Sequence, residues 1–270
     1  MVGMKLVALR RYPLKSALGE HLDAADVEPT GLLGDRTWAC VDVSDGTIGS
    51  AKHPRRWGNL LEVATELHGS ELTLRIAGRA HRAGSAEADA ALSELVGRPV
   101  RLTQEAHAGA QLHRVASDVD GMIPEWTPDL RAGDESVSDV GGIARVGRFT
   151  DFGAIHLLTT GALARLGERL GGTAVADARF RANLILEAPD DPAPGDELRL
   201  GDVVLRIVMP TPRCVIPGLG QAGIPADRAL LSTLARHYRR PVADFGRGAC
   251  FGVYADVVQP GRLQLDQIAH

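Results

Sequence analysis

The chain has 270 residues, of which 44% are hydrophobic and 24% are charged, and its formal net charge is −4. A chain of this size can bury a substantial core in one large domain or two smaller ones. The mild acidity argues against a nucleic-acid-binding surface, and no apolar run has the length of a membrane helix. Because the first residues also lack a secretory signal, we expect a cytoplasmic protein without membrane or nucleic-acid partners.

The first half of the sequence is β-rich. Short segments with a rough alternation of polar and apolar residues are separated by Gly, Pro, Asp and Ser, a pattern typical of strands in a sandwich or barrel. Strands are predicted at residues 5–12, 36–43, 59–67, 71–77 and 99–104. One helix is predicted at residues 86–96, ending before Gly97.

The periodicity fades between residue 107 and about residue 150, which predicts a long loop that is either functional or a linker. We therefore divide the chain into a domain at residues 1–110, a connecting loop at 111–150 and a second domain at 151–270. The second half contains two predicted helices and several predicted strands. Helices are expected at 160–170 and 225–238, and strands at 154–159, 182–187, 202–209, 250–258 and 262–268. The predicted fold class is α+β, mainly β.

Three widely spaced cysteines, Cys40, Cys214 and Cys250, form no Cys-x-x-Cys pair and argue against a disulfide framework. Cys214 follows an apolar strand in the segment Met-Pro-Thr-Pro-Arg-Cys-Val-Ile-Pro-Gly. Because proline fixes φ and removes a backbone donor, this segment predicts a rigid loop at a strand end. The neighbouring Arg213 favours a thiolate, the form that binds soft metals. The alternative is a small buried hydrophobic residue, as most lone cysteines are.

Two further clusters carry basic residues. In the segment 177–183, Arg179 and Arg181 share one face if the chain is extended there, and their forked donors suit a phosphate or a carbonyl-rich ring. Near the N-terminus, Lys15, Ser16 and Arg36 supply two positive charges and a hydroxyl to one phosphate. A further basic run begins at Lys52. The alternative for each cluster is ordinary solvated surface.

The order of these clusters carries a family resemblance. The pieces are YPLKS, GLLGDRTW, the stretch D-G-x-x-x-S-A-K-x-P, FTDFGAIHLLTTGAL, RFRANLIL, PTPRC and FGVYADV. With these pieces the sequence resembles the MOSC family (molybdenum cofactor sulfurase C-terminal domain), including its preceding N-terminal domain, and in overall plan the amidoxime-reducing proteins and their bacterial counterparts. The resemblance implies a MOSC-type β-barrel with flanking helices plus an N-terminal β-barrel domain.

The resemblance also implies roles for individual residues. Cys214 matches the family's molybdenum ligand and is the expected catalytic residue. The residues expected to bind the molybdenum–molybdopterin cofactor are Lys15, Ser16, Arg36, Thr159, Thr160, Arg181, Asn183 and Arg213. The sequence departs from many relatives at Ala17 and at Ser50-Ala-Lys52, which puts the choice of substrate in doubt.

The function implied is an oxidoreductase that reduces N-hydroxylated or N-oxide small molecules. No Cys-rich segment for an iron–sulfur cluster is present, so the electrons would come from a separate donor protein, a ferredoxin or similar. The alternative is a carrier of persulfide sulfur or of molybdenum cofactor that uses Cys214. A non-enzymatic binding module is a third possibility, based on composition alone.

Several other residues are interpreted as structural. Asp151-Phe-Gly153 matches a kinase tripeptide, but the companion kinase motifs are absent, so we interpret the match as coincidence. His156 lies in an apolar run and is predicted to be an interior histidine with satisfied hydrogen bonds. Cys40 and Cys250 lie in strand-like segments and are predicted to be in the core.

Overall fold

The computed structural model of the chain describes residues 4–105, 109–139 and 147–269. It is mainly β, with a small number of helices, as the sequence predicts. The strands of the first half are β1 (Met4–Arg11), β2 (Glu20–His21), β3 (Ala24–Glu28), β4 (Gly31–Leu32), β5 (Ala39–Asp42), β6 (Ala64–His68), β7 (Glu71–Ile76), β8 (Arg79–Arg82), β9 (Val100–Thr103), β10 (Gln111–Val115) and β11 (Glu135–Asp139). Those of the second half are β12 (Ile155–Thr159), β13 (Leu184–Glu187), β14 (Glu197–Leu200), β15 (Val203–Pro212), β16 (Arg239–Val242), β17 (Gly246–Gln259), β18 (Gly261–Gln264) and β19 (Ile268–Ala269).

The helices lie between these strands. The α-helices are α1 (Pro54–Trp57), α2 (Ala86–Val96), α3 (Thr160–Arg169) and α4 (Arg228–His237). Short 3₁₀ turns occur at Gly58–Glu62, Asp177–Phe180 and Ile216–Gly218. Within the described residues, no helix combines the length and the apolar character that a membrane crossing requires.

The largest sheet among the described residues closes into a β-barrel. Its strand order is β12-β13-β1-β19-β14-β15-β17, and β17 pairs again with β12 to close the ring. β1 lies antiparallel to both β13 and β19, whereas β12 and β13 are parallel. The first strand of the chain is therefore part of a barrel that the second half otherwise builds. Apolar side chains fill its interior, among them Leu6, Leu9, Leu157, Leu184, Leu186, Leu205 and Val253.

The long strands β15 and β17 determine where Cys214 lies. Their pairing shifts register between Ile207 and Met209 and again between Pro210 and Pro212. Proline cannot donate a ladder hydrogen bond, so it is tolerated where such irregularities occur. The predicted loop is therefore wrong for residues 209–212, which stay paired with β17, and irregular chain begins only at Arg213, before the 3₁₀ turn that follows Cys214.

A smaller core belongs to the first half of the chain. α2 has the predicted limits: the side chain of Ser85 accepts a hydrogen bond from the backbone N–H of Ala88, and Gly97 ends the helix in the left-handed conformation. The predicted strand at 59–67 is correct only in its second part. Leu60 and Leu61 are both buried, which a 3₁₀ turn permits, whereas adjacent residues of a strand point to opposite faces.

The predicted connecting loop contains a hairpin. β10 and β11 pair antiparallel from Gln111↔Asp139 to Val115↔Glu135. Ser136 and Ser138 occupy positions where an apolar residue would have produced a visible alternation, which explains why the sequence pattern failed there. The domain limits at 110 and 150 stay a prediction.

Candidate functional site

A cleft of about 690 Å³ lies where the loops before β5, β12 and β13 meet the loop after β15. We call it the basic cleft. It brings together seven of the nine residues that the sequence singled out. These are Lys15, Ser16, Arg36, Arg181, Asn183, Arg213 and Cys214. The segments that supply them are far apart in the chain, and only the barrel makes them neighbours.

The other two predicted residues do not line this cleft. Thr159 is the N-cap of α3: its hydroxyl accepts a hydrogen bond from the Ala162 backbone N–H at 3.3 Å and lies 2.8 Å from an oxygen of the Asp191 carboxylate. The Thr160 hydroxyl donates to the Ala188 carbonyl at 3.4 Å. The Thr159 hydroxyl caps the helix and the Thr160 hydroxyl binds the Ala188 carbonyl, so both lie apart from the cleft, and their approach to a pterin stays a prediction.

Three residues of the cleft have a backbone conformation that side-chain-bearing residues rarely adopt. Ser16, Arg36 and Arg181 have φ values of 65°, 51° and 56°, in the left-handed region. Hydrogen bonds between segments far apart in the chain involve each of them. The Ala51 backbone N–H donates to Ser16 Oγ at 3.0 Å, and the Arg36 guanidinium donates to the Arg181 carbonyl at 3.0 Å. Left-handed backbone at bulky residues is typical of functional sites, where the surrounding structure maintains it.

The two arginines share an aromatic platform. The guanidinium carbons of Arg36 and Arg181 lie 5.0 and 4.5 Å from the centroid of the Tyr12 ring. Burial, together with the neighbouring Arg36, lowers the pKa of Arg181 to about 10. Burial opposes the charge of Arg36 as well, but its contact with the Asp35 carboxylate raises the pKa of Arg36 overall. Both side chains are therefore cations at neutral pH, and Arg181 has the poorer charge compensation.

Asn183 has a structural task within the cleft. Its Nδ2 donates to the Arg10 carbonyl at 3.2 Å, and its Oδ1 accepts from the His156 backbone N–H at 3.1 Å. The amide thus connects β1 to β12. This fixes the orientation of the side chain, and its Oδ1 also lies 3.4 Å from Arg36 Nη1.

A buried pair of lysines faces one carboxylate. Lys15 Nζ and Lys52 Nζ lie 3.2 and 2.6 Å from Asp151 Oδ1, and Lys15 also donates to the Phe149 carbonyl at 2.8 Å. Burial lowers the pKa of both lysines, that of Lys15 to about 8. For Asp151, burial alone would raise the pKa, but the two ammonium groups hold it well below its usual range.

Sequence reasoning missed Asp151 and gave Lys52 no assigned role. The tripeptide Asp151-Phe-Gly153 is unrelated to kinases, yet its carboxylate lines the cleft. Glycine is required at position 153 for packing, because a Cβ there would lie 2.6 Å from the Cβ of Tyr254. The available signal was the position of these residues between two segments already assigned to the site.

Cys214 is half-buried and lies directly after the prolines of β15. Arg213 beside it donates to the Phe180 carbonyl at 2.7 Å, and its Nη1 is 3.4 Å from His156 Nε2. Arg213 Nε is buried and has no hydrogen-bond partner among the described residues. Burial and the charge of Arg213 hold the pKa of His156 well below its usual range, so its imidazole is neutral. His156 is interior, as predicted, and it also lines the cleft.

Arg179 lies outside the cleft, contrary to the expectation that it shares a face with Arg181. The segment before β13 is a 3₁₀ turn rather than extended chain, and Arg181 follows it in the left-handed conformation. Arg179 therefore points away and donates to the carbonyls of Pro217 at 3.1 Å and Leu219 at 3.2 Å. It supports the loop that carries Cys214.

The charges of the cleft are unbalanced. Five basic side chains line it; among the described residues Asp151 is the carboxylate of the lining, and Asp35 pairs with Arg36, so cations remain in excess. A buried excess of positive charge is costly unless an anion compensates it, so this arrangement fits an anionic group. The half-buried thiol of Cys214 adds one soft donor for a metal. A phosphorylated pterin that carries its own metal combines these properties.

The fold and the site together define the class of the protein. Residues 3–113 match the MOSC N-terminal beta barrel domain, and residues 145–268 match the MOSC domain. Together the two matches span most of the chain, and the chain belongs to the MOSC domain family.

Individual relatives are more distant. The chain is similar to human mitochondrial amidoxime-reducing component 1, at 24% identity over 94% of this chain and 79% of the human protein. Among solved structures it is similar to the YuaD protein from Bacillus subtilis, with a TM-score of 0.47 and 12% identity over 99% of this chain and 94% of that one. A partial similarity to YiiM from Geobacillus stearothermophilus has a TM-score of 0.32 and 18% identity, covering 43% of this chain and 53% of that one.

Proposed function

We propose that the chain binds molybdenum cofactor in the basic cleft, with the Cys214 thiolate as the protein ligand of the metal. Its activity is the reduction of N-hydroxylated or N-oxide small molecules with electrons from a separate donor protein, a ferredoxin or similar. One observation carries the proposal. Five basic side chains from distant segments converge on one thiol-bearing cleft, an arrangement that a simple sulfur carrier does not need.

The basic residues have a direct task in this proposal. Lys15, Arg36 and Arg181 offset the charge of the cofactor's phosphate, since forked guanidinium donors and an ammonium group suit phosphate oxygens. The Ser16 hydroxyl adds a donor at the same end of the cleft. The unpartnered Nε of Arg213 supplies a further donor next to Cys214.

The cofactor, when bound, supplies the two-electron chemistry that removes oxygen from nitrogen. Reduction of an N-hydroxyl group consumes two electrons and two protons and releases water. The chain's own residues position the cofactor and offset its charge. Cys214 fixes the metal, and the neutral His156 keeps Arg213 in place. Lys52, whose pKa is lowered by burial, is an ammonium group that can deliver a proton to a substrate bound beside it in the cleft.

The named activity of a relative supports the choice of substrate. The human relative is an amidoxime-reducing component, and an amidoxime is an N-hydroxylated compound.

The test is Cys214→Ser in the full chain, expressed in a host that makes molybdenum cofactor. The wild type is expected to contain near-stoichiometric molybdenum and pterin and to reduce benzamidoxime with a chemical electron donor. The variant should lose the metal or all measurable turnover, because serine does not replace a thiolate on a soft metal. Cys250→Ala is the matched control, since Cys250 is buried outside the cleft, and it should load and turn over normally.

Two results would contradict the proposal. Undiminished turnover by Cys214→Ser would remove the ligand assignment. Wild-type protein without molybdenum, under conditions where a known molybdoenzyme loads, would favour the carrier, and a persulfide on Cys214 in mass spectra would identify its cargo as sulfur.

A further inference from the structure

A second cavity of about 940 Å³ adjoins the basic cleft. The two spaces share Lys52, Asp151, Arg213 and Cys214 in their walls. The β10–β11 hairpin and the segment that follows β10 build the far side. A small molecule in this cavity therefore has access to Cys214, while Lys15, Arg36 and Arg181 line only the basic cleft.

One wall of the cavity is apolar and aromatic. Met122, Ile123, Trp126, Leu130 and Phe152 contribute to it. The Trp126 indole lies close against Gly248, where a Cβ would come within 2.7 Å of its Cη2 atom. The Phe245 ring supports it with a centroid distance of 6.3 Å. Glycine at position 248 thus provides the space in which a flat ring lies against the strand β17.

The other wall carries positive charge. Arg114 lies opposite Ser136 in the hairpin, and its Nε is buried without a hydrogen-bond partner among the described residues. Lys52 and Arg213 are the further cations of this wall. The carboxylate of Asp151 is already matched by Lys15 and Lys52. A donor of Arg114 is left for an acceptor that enters the cavity.

We infer that the second cavity is the substrate pocket, and that it selects flat aromatic molecules that carry an anionic group. The aromatic body packs against Trp126, and the anionic group binds Arg114. That a bound molecule is reduced at its N–O group rests on the proposed function. That the cavity binds such a molecule does not.

Equilibrium binding tests the charge selection without any turnover. Three probes of similar shape are titrated calorimetrically into the full chain: 4-carboxybenzamidoxime, benzamidoxime and 4-(trimethylammonio)benzamidoxime. We expect the anionic probe to bind most tightly and the cationic one least. Arg114→Gln should reduce the affinity for the anionic probe about tenfold, the order expected for one charge-assisted hydrogen bond, and leave the neutral probe nearly unchanged. Arg101→Gln, at an exposed position of β9, is the matched control and should change neither.

A pair of substitutions on β11 tests the location. Ser136 lines the cavity, whereas its neighbour Val137 is 50% exposed on the other face of the strand. Ser136→Phe should fill the pocket and abolish binding of all three probes. Val137→Phe should leave binding unchanged. Circular dichroism and molybdenum content of the same samples show whether either variant has lost its fold or its cofactor.

The outcomes separate the two proposals. Equal affinity for the three probes, or unchanged binding in both Arg114→Gln and Ser136→Phe, would overturn the substrate pocket even in a fully loaded and active protein. Selective binding that depends on Arg114 in a protein that never loads molybdenum would support the pocket and contradict the proposed function.

Discussion

Ser16, Arg36 and Arg181 all have left-handed backbone, and all three line the basic cleft. Each such residue costs on the order of 1–3 kcal/mol of conformational energy, which the packed surroundings must offset. The guanidinium groups of both arginines lie against the ring of Tyr12. A sequence pattern cannot reveal this, since left-handed conformation at arginine depends on tertiary contacts rather than on local preference.

Lys15 makes anion binding by the cleft dependent on pH. Its pKa is about 8 in the folded chain, against 10.5 for an ordinary lysine, because burial opposes the charged form. The charge that holds an anion is therefore lost as the pH rises through 8. We expect the affinity for sulfate, whose own charge is constant in this range, to fall up to about tenfold between pH 7 and pH 9. Calorimetric titration at both pH values measures it.

The control is Lys15→Arg, which keeps its charge throughout this range and should show a much flatter profile. The pH dependence of folding stability has the opposite sign to that of sulfate affinity. Between about pH 8 and 10.5 the unfolded chain binds a proton at Lys15 that the folded chain does not, so this residue's contribution to stability rises with pH. A wild-type sulfate affinity that is constant to pH 9 would contradict the role of Lys15.

At the scale of elements, a substitution at the start of α3 distinguishes a structural role of Thr159 from a role in cofactor binding. Thr159→Ala removes the N-cap hydroxyl and its contact with Asp191. We expect the free energy of unfolding to fall by about 1 kcal/mol, as for other N-cap losses. Urea denaturation of the wild type and variant measures the difference.

Molybdenum content should be unchanged in the same Thr159→Ala sample. Serine at position 159 keeps the capping oxygen and should restore most of the lost stability. Loss of cofactor from a variant with wild-type stability would instead reinstate Thr159 as a cofactor contact.

Elements with strong local signals were predictable, and those that depend on distant partners were not. α2 is specified by Ser85, Gly97 and its own composition, so its limits were predicted correctly. The β10–β11 hairpin has serines where apolar residues would mark a strand, and it became visible only through its pairing. The turn before β13 reversed the prediction for Arg179, because the extended chain assumed there does not exist. The proline-rich segment was predicted to be a loop, but register shifts in the pairing with β17 let its prolines remain in β15.

For the whole molecule, the placement of β1 determines which parts can fold alone. β1 lies between β13 and β19 and is required to complete the barrel. We expect residues 145–269 expressed alone to lack cooperative thermal unfolding, since the open barrel would expose strand edges and the apolar interior. Circular dichroism and limited proteolysis of the fragment test this expectation.

Co-expression with residues 1–139 supplies the matched comparison. It should restore a folded complex, because the missing strand and Lys15, Ser16 and Arg36 are then present. A fragment 145–269 that folds cooperatively without the other would show that β1 is dispensable for the barrel.

The position of β1 also has a consequence for biosynthesis. β1 is the first of the described barrel strands to be synthesised. One of its neighbours in the barrel, β19, is the last of the described strands. β1 can pair with β2 and β13 earlier, but its pairing with β19 through Met4 and Lys5 must wait until residues 268 and 269 have been made. Closure of the barrel is accordingly a late event of folding, because it follows the synthesis of β19.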